Sequence, residues 1–535
     1  GEEEKEEEEE LERLDLAIAL MLLGSIAFAI SLFYLVNHHD PDIKLHSYMV
    51  LSFSMSIFTA VFVYHGLTSV ARAVVVGPTP HAAEGPGELL RTALVQYLEL
   101  LLLFAALQAA LWVLVLPLAQ DESLHWEGDL ELNARCCGTL LAHMAAFAAA
   151  GAGHDLQAML TAVGPPILAF VPVGLNFGLL FALFRACDYA RSRMNMTAAA
   201  RERWDQETEY AENDLAGLCL SYAAVQAWTG CVLGALGHSD AGLLRLREQP
   251  EGCTLSMLFM SLVFAGLTIL VTWVIAQKDK TAYIMGRLGI EDEEGDFIST
   301  PGFDPFEVYI KRWFFILQTM LAMSFAWGLL YTAKWQIARL LGSSDFVLGS
   351  ESTGQCVLLA LCVSFISFCL IFVLDKIHDL DATGAVADKC IRSIMEALAV
   401  LIGFSWEQSF DKGVEVIAEL GEGKGFWFPV LLKLVLVAGG ALATVPAWRR
   451  YILKVVLELE LEGKSRETEG CTKLETLLRQ REQLAAESAK FENSAIEPEH
   501  ERSRGWGCYC LSCAGGKRQR GHSFTAVVSS VHTEE

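Results

Sequence analysis

Apolar residues in this chain gather into blocks of roughly 18 to 25 residues, the length of helix that crosses about 30 Å of hydrocarbon. Between the blocks the sequence turns charged or rich in Gly and Pro, and the pattern repeats from residue 14 to residue 447. Hydrophobic residues make up 53% of the 535 and charged residues only 20%, more apolar matter than a soluble fold of this length needs. High apolar content alone would fit several large soluble cores, and its division into span-length blocks excludes them. The expectation is an all-α, polytopic transmembrane helical bundle.

A window of about 19 residues marks spans at Leu14 to Val36, Tyr48 to Val70, Leu90 to Leu116, Cys136 to Val163, Ile167 to Cys187 and Leu215 to Leu236. Five more follow at Leu255 to Ala276, Trp313 to Tyr331, Val357 to Leu374, Ile394 to Phe410 and Phe426 to Val445, about eleven in all. His143, His154 and Asp155 interrupt the fourth, so an interfacial helix competes there with a span. The Gly164-Pro165-Pro166 turn favours a membrane hairpin with the fifth. An odd count puts the termini on opposite faces. Basic residues cluster after spans five (Arg191, Arg193, Arg201, Arg203), seven (Lys278, Lys280, Arg287, Lys311, Arg312) and eleven (Arg449, Arg450, Lys454). By the positive-inside rule that face is cytoplasmic, which gives an N-out, C-cytoplasmic orientation in a membrane whose identity the sequence leaves open.

Net charge is −25, from 40 Lys and Arg against 65 Asp and Glu, which argues against nucleic acid as a partner. Residues 1–13 are an acidic segment rather than the basic start of a secretory signal peptide, so either residues precede it or the first span is itself the insertion signal. Residues 14–447 form the expected membrane domain and 448–493 a charged cytoplasmic helix with a short stripe at Leu474, Leu477, Leu478 and Leu484. Residues 494–535 read as a disordered tail containing Cys508, Cys510 and Cys513. That cluster lacks the paired spacing of common zinc folds, and acylation beside Lys517, Arg518 and Arg520 is the competing reading. The 14 cysteines give no disulfide framework; Cys219, Cys362 and Cys369 fall inside apolar blocks as small hydrophobes.

The even-numbered spans share a weak register. An aromatic or small residue precedes His65, His154, Thr229, Gly328 and Glu407 in spans two, four, six, eight and ten, and odd spans often end in acidic exits such as Cys187-Asp188 and Asp375-Lys376. Five tandem two-helix units plus a closing helix would produce this pattern. Each unit returns the chain to its starting face, so all units share one orientation and any pseudo-symmetry axis runs along the membrane normal. Small and aromatic residues are common in every membrane helix, which is the competing account.

Ionisable groups at membrane depth cost about 2.5 to 3.5 kcal/mol each and usually face a bundle interior or water. His143 and His154 are eleven residues apart, as are Glu396 and Glu407, and eleven residues bring a helix back to nearly the same face. Each helix therefore carries two titratable groups on one stripe about 16 Å apart, with Gly403 between the two acids. Glu407, His154, Asp155 and His65 are expected along the exofacial half of an ion path, with Glu396, His143 and Glu99 as deeper relay groups. The competing placement for His65, His154 and Glu407 is the solvated headgroup zone. Glu99 needs a proton or a partner, for which Lys433 is the candidate. Asn176, after Pro172, marks a broken point of span five with exposed carbonyls, or a packing site among glycines.

These features point to a channel or secondary transporter for protons or small cations, with a non-conducting scaffold that recruits partners through its polar tails as the rival. The bilayer is the expected partner, with self-association or other membrane proteins beside it. A membrane-embedded enzyme using His154 and Asp155 as acid and base is a third class. No Walker A loop, GxGxxG fingerprint, GxSxG elbow or regular Arg series occurs, so neither a cofactor nor an enzymatic activity is expected. Metal binding by the two His and one Glu of the shared register is left open, since no HExxH or other local ligand pair supports it.

Overall fold

The computed structural model describes residues 23–75, 86–120, 129–194, 196–234, 250–287, 305–341, 353–378, 384–419 and 427–463. The acidic segment, the beginning of the first span and everything beyond residue 463, including the expected charged helix to 493 and the cysteine tail, lie outside these residues. Eleven helices are described, and no strand occurs among the described residues. They are α1 (Leu23–Val36), α2 (Pro41–Val75), α3 (Pro86–Gln120), α4 (Asp129–Val163), α5 (Val171–Arg193), α6 (Ala198–Leu233), α7 (Pro250–Arg287), α8 (Pro305–Leu341), α9 (Thr353–His378), α10 (Gly384–Glu419) and α11 (Trp427–Ala447). Nine of them are long and apolar enough to cross a membrane. The protein is an all-α, multi-pass membrane bundle.

The two exceptions are instructive. Fourteen residues of α1 are described, too few to span. α10 is long enough, with 36 residues, but carries Glu396, Glu407, Asp411 and six further charges. It survives at membrane depth because neighbours surround it: Ala397, Leu398, Ala399 and Ile402 are buried among α2, α8 and α9. A helix screened from lipid by protein is released from the apolar requirement.

The even helices close a ring. α2 packs on α4, α4 on α6, α6 on α8, α8 on α10, and α10 returns to α2. Odd helices lie outside it: α3 covers α4, α5 covers α6, α7 covers α8, α9 covers α10, and α11 takes the outer place beside α2. Burial separates the layers. In the most apolar stretch of each helix, 78% of residues are buried in α4 and 83% in α6, against 28% in α3, 22% in α7 and 6% in α11. Leu94, Leu98, Phe259, Ile269, Phe365 and Leu442 of the outer helices are exposed as a lipid-facing surface. Helices of 35 to 37 residues are about 52 to 56 Å long, so the inner helices reach beyond the roughly 40 to 45 Å of a whole bilayer. The surplus carries charge: at the start of α6, Asp205 and Glu212 hold Arg191 of α5, Asp188 also pairs with Arg191, and Arg312 of α8 bonds Glu212 at 2.6 Å.

The turn between α4 and α5 follows from its prolines. Pro165 is extended, Pro166 opens a 3-10 turn over Pro166–Phe170, and Pro172 occupies the first turn of α5, where its missing N–H costs nothing. Gln157 of α4 locks the hairpin, donating to the carbonyls of Ala169 at 3.0 Å and Ala223 of α6 at 2.8 Å. α6 starts on Thr197, whose hydroxyl accepts from the Ala200 N–H, and ends on Gly234 in the left-handed region at φ 81°.

The last helix does not stop at 447. A π turn over Trp448–Leu453 re-aims it, and it continues to Gly463. Trp448 is buried, donating to Ser52 Oγ of α2 at 2.9 Å, and Arg449 bonds Asn133 and Asp129 of α4. The expected boundary at 447 therefore falls inside a compact unit that runs to Gly463.

Candidate functional site

Two cavities lie inside the ring, one toward each end. The upper cavity, about 530 Å³, is lined by the C-terminal halves of the even helices: Tyr64, His65, Thr68 and Arg72 of α2, Phe147 and His154 of α4, Tyr222 of α6, Lys334 of α8, and Phe404, Glu407, Asp411 and Lys412 of α10. Gln96 of α3 and Lys433 of α11 complete it. The lower cavity, about 220 Å³, is lined by the N-terminal halves of the same five helices. The even helices thus run in one direction, as tandem two-helix units require.

In the upper cavity the chemistry concentrates between α2 and α10. Glu407 and Asp411, four residues apart, project from one face of α10 toward His65 of α2. His65 Nδ1 is 3.2 Å from Asp411 Oδ1 and 3.7 Å from Glu407 Oε1, and Lys433 Nζ is 3.7 Å from Asp411 Oδ1. Glu407 is 2% exposed and its Oε1 accepts no hydrogen bond. Below this cluster the same two helices approach closely: a Cβ on Gly403 would lie 2.6 Å from the Ser54 Cα. Gly403, between Glu396 and Glu407, therefore admits the backbone of α2.

The lower cavity holds Arg135, Asp214, Glu396 and Glu460 with Tyr210, Asn213 and Trp448. Arg135 lies over the Tyr210 ring at 3.8 Å and pairs with Glu207 at 3.3 Å. His143 is buried behind the wall, its Nε2 3.9 Å from Asp214 Oδ2.

Between the cavities lies an apolar layer. Phe147 and Phe404, which floor the upper cavity, stack at 5.8 Å and 6°. Trp327 of α8 meets Phe404 edge-on at 4.5 Å and is fixed by Tyr222 and by its bond to Ser221 Oγ. One turn below on the same helices, Val400 and Met323 roof the lower cavity. Aromatic rings form the upper side of this layer and aliphatic side chains the lower.

The sequence-derived candidates distribute unevenly over this geometry. His65, His154 and Glu407 line the upper cavity and Glu396 the lower one. Asp155 does not: its Oδ2 accepts from Thr92 of α3 at 2.7 Å, outside the ring. Glu99 stands one residue behind the wall and accepts from Thr68 at 3.1 Å; Lys433, expected as its partner, pairs with Asp411 instead. Of the five residues of the shared register, His65, His154 and Glu407 line the upper cavity. Thr229 contacts Met257 of α7, and a Cβ on Gly328 would strike Ser261 of α7, so both face the outer layer and the inward residue of α8 is Trp327. Asn176 lies within continuous α5, accepting from Tyr97 at 2.7 Å and donating to the Ala149 carbonyl at 3.2 Å. It is a packing site, and its helix offers no broken backbone.

Sequence reasoning missed Arg135 and Asp214 by one residue each. Spans drawn by hydropathy begin at Cys136 and Leu215, because a window stops at the first charge even where the helix continues inward. Asp411 was legible as the residue four after Glu407. No family profile, curated protein or solved structure matches this chain.

Proposed function

We propose that the five-helix ring is a membrane pathway for protons or small cations, with protons the better fit. The observation that supports this most directly is the pair of cavities on one ring, each lined by ionisable side chains and separated by a single apolar layer. A scaffold would have no need of charged groups inside a bundle, where each one costs insertion energy. Four Lys or Arg side chains line the upper cavity against two carboxylates, which disfavours a hydrated alkali cation. A proton is exempt from much of that barrier, since it moves by exchange along water, Tyr, His and carboxyl groups. Placing the basic segments in the cytoplasm puts the upper cavity on the exofacial side.

The test is flux from proteoliposomes holding the purified protein, read for protons and separately for potassium and chloride. Proton flux is expected. Glu407→Gln keeps the shape of the side chain and removes its charge, so it should lower flux several-fold at unchanged protein levels. Phe404→Ala should raise flux, because it thins the layer between the cavities. Normal flux in both Glu407→Gln and His154→Ala would move the reading to the scaffold, in which the polar tails recruit partners.

A further inference from the structure

We propose that His65, Glu407 and Asp411 form a binding site for a divalent transition-metal cation, zinc being the simplest case. One ligand atom from each of the three lies within 4.8 Å of the others. Two of the edges, 3.2 and 3.7 Å from His65 Nδ1, bracket the separation of ligands that each sit about 2.0 to 2.2 Å from one tetrahedral ion. Glu407 supplies the second, independent observation: it is almost wholly buried in the cavity wall, and its Oε1 faces His65 Nδ1 within the cluster with no hydrogen-bond partner.

The donor set decides the metal class. One imidazole and two carboxylates suit zinc, iron or manganese better than magnesium or calcium, which take oxygen alone. Three protein ligands with a water from the adjoining 530 Å³ cavity make the open arrangement in which the fourth position exchanges. The ion would bridge α2 and α10 above the level at which Gly403 approaches the backbone of Ser54. Lys433 opposes it, with Nζ 3.7 Å from Asp411 Oδ1; direct metal–ligand bonds must displace that ammonium, and Arg72, Lys334 and Lys412 add weaker repulsion from the same cavity wall. None of this rests on the transport reading.

The experiment uses the full chain carrying Cys508→Ser, Cys510→Ser and Cys513→Ser, so that tail thiols contribute nothing, stripped of metal in detergent and titrated with zinc alone. One zinc should bind and raise the thermal unfolding midpoint. His65→Ala, Glu407→Gln and Asp411→Asn should each weaken binding by more than about 100-fold, beyond the usual effect of losing an outer-shell partner. Lys433→Met should tighten binding on the order of tenfold, by removing one adjacent positive charge, an outcome that a purely structural role for the cluster does not produce. Unfolding midpoints without zinc establish that each variant is folded. Should Glu407→Gln fail that check, the half-exposed His65 carries the test. Absence of zinc binding in the parent, or equal binding in the parent and the folded ligand variants, overturns the proposal. Because no flux is read, failure here leaves the pathway reading standing, and the reverse holds equally.

Discussion

At the scale of single residues, the same chemical type serves opposite purposes depending on which side of a helix it occupies. Glu407 and Asp155 are both acids near the upper ends of inner helices. One faces the cavity and the other faces α3, where Thr92 satisfies it. Asn176 belongs to the second kind, joining α3, α4 and α5 through Tyr97 and the Ala149 carbonyl. Asn176→Ala should therefore destabilise the fold by about 1 to 3 kcal/mol, the cost of stranding buried polar groups, with flux per folded molecule unchanged. Denaturation in mixed micelles paired with a flux assay checks both halves. Lost flux at full stability would restore a functional part for this residue. Gly403 has a sharper steric requirement. Gly403→Val should cost about 1 to 3 kcal/mol or more, since its Cβ would lie 2.6 Å from Ser54 Cα and the helices must separate to admit it.

At the scale of elements, α10 and the end of α11 show where helix boundaries are set by packing. α10 is polar enough to fail as an isolated span and is held in the ring by its neighbours. The π turn at Trp448–Leu453 turns the end of α11 beneath the ring, so that Trp448, Leu453 and Glu460 close one side of the lower cavity. Trp448 also packs in a small cluster with Leu132, Cys136 and Leu453. Trp448→Ala should release this segment and expose Cys136, which is 4% accessible. Maleimide labelling followed by peptide mapping should show faster modification of Cys136, with Cys219, fully buried beside Asn176 of α5, still protected. Slow labelling of Cys136 in a folded Trp448→Ala protein would mean that the segment is held by Arg449 and its α4 partners alone.

At the scale of the whole molecule, orientation is the open variable that one residue can report. Asn195-Met196-Thr197 is the single glycosylation sequon of the chain and falls between α5 and α6, in an Arg-rich stretch assigned to the cytoplasm. It should stay unmodified in a secretory-pathway membrane. A glycan at Asn195, detected by a mobility shift on deglycosylation, would invert the assignment and place the lower cavity outside.

Span-length apolar blocks, and with them an all-helical membrane bundle, were determined by the sequence itself, because the thickness of hydrocarbon imposes one length on every crossing. The two-helix period was legible for a related reason: every second crossing returns to the same face, and His65, His154 and Glu407 line one cavity. Which side of each helix turns inward is set by the partners that helix meets. That is why Thr229 and Gly328 face α7, while Trp327, the residue before Gly328, faces Phe404 inside the ring. Arg135 and Asp214 enter the lower cavity for the same reason, because burial by neighbouring helices permits charge at a depth where hydropathy ends the span. The cluster of His65, Glu407, Asp411 and Lys433 joins residues 65 and 433 across most of the chain, and only the closure of α10 and α11 on α2 brings it together.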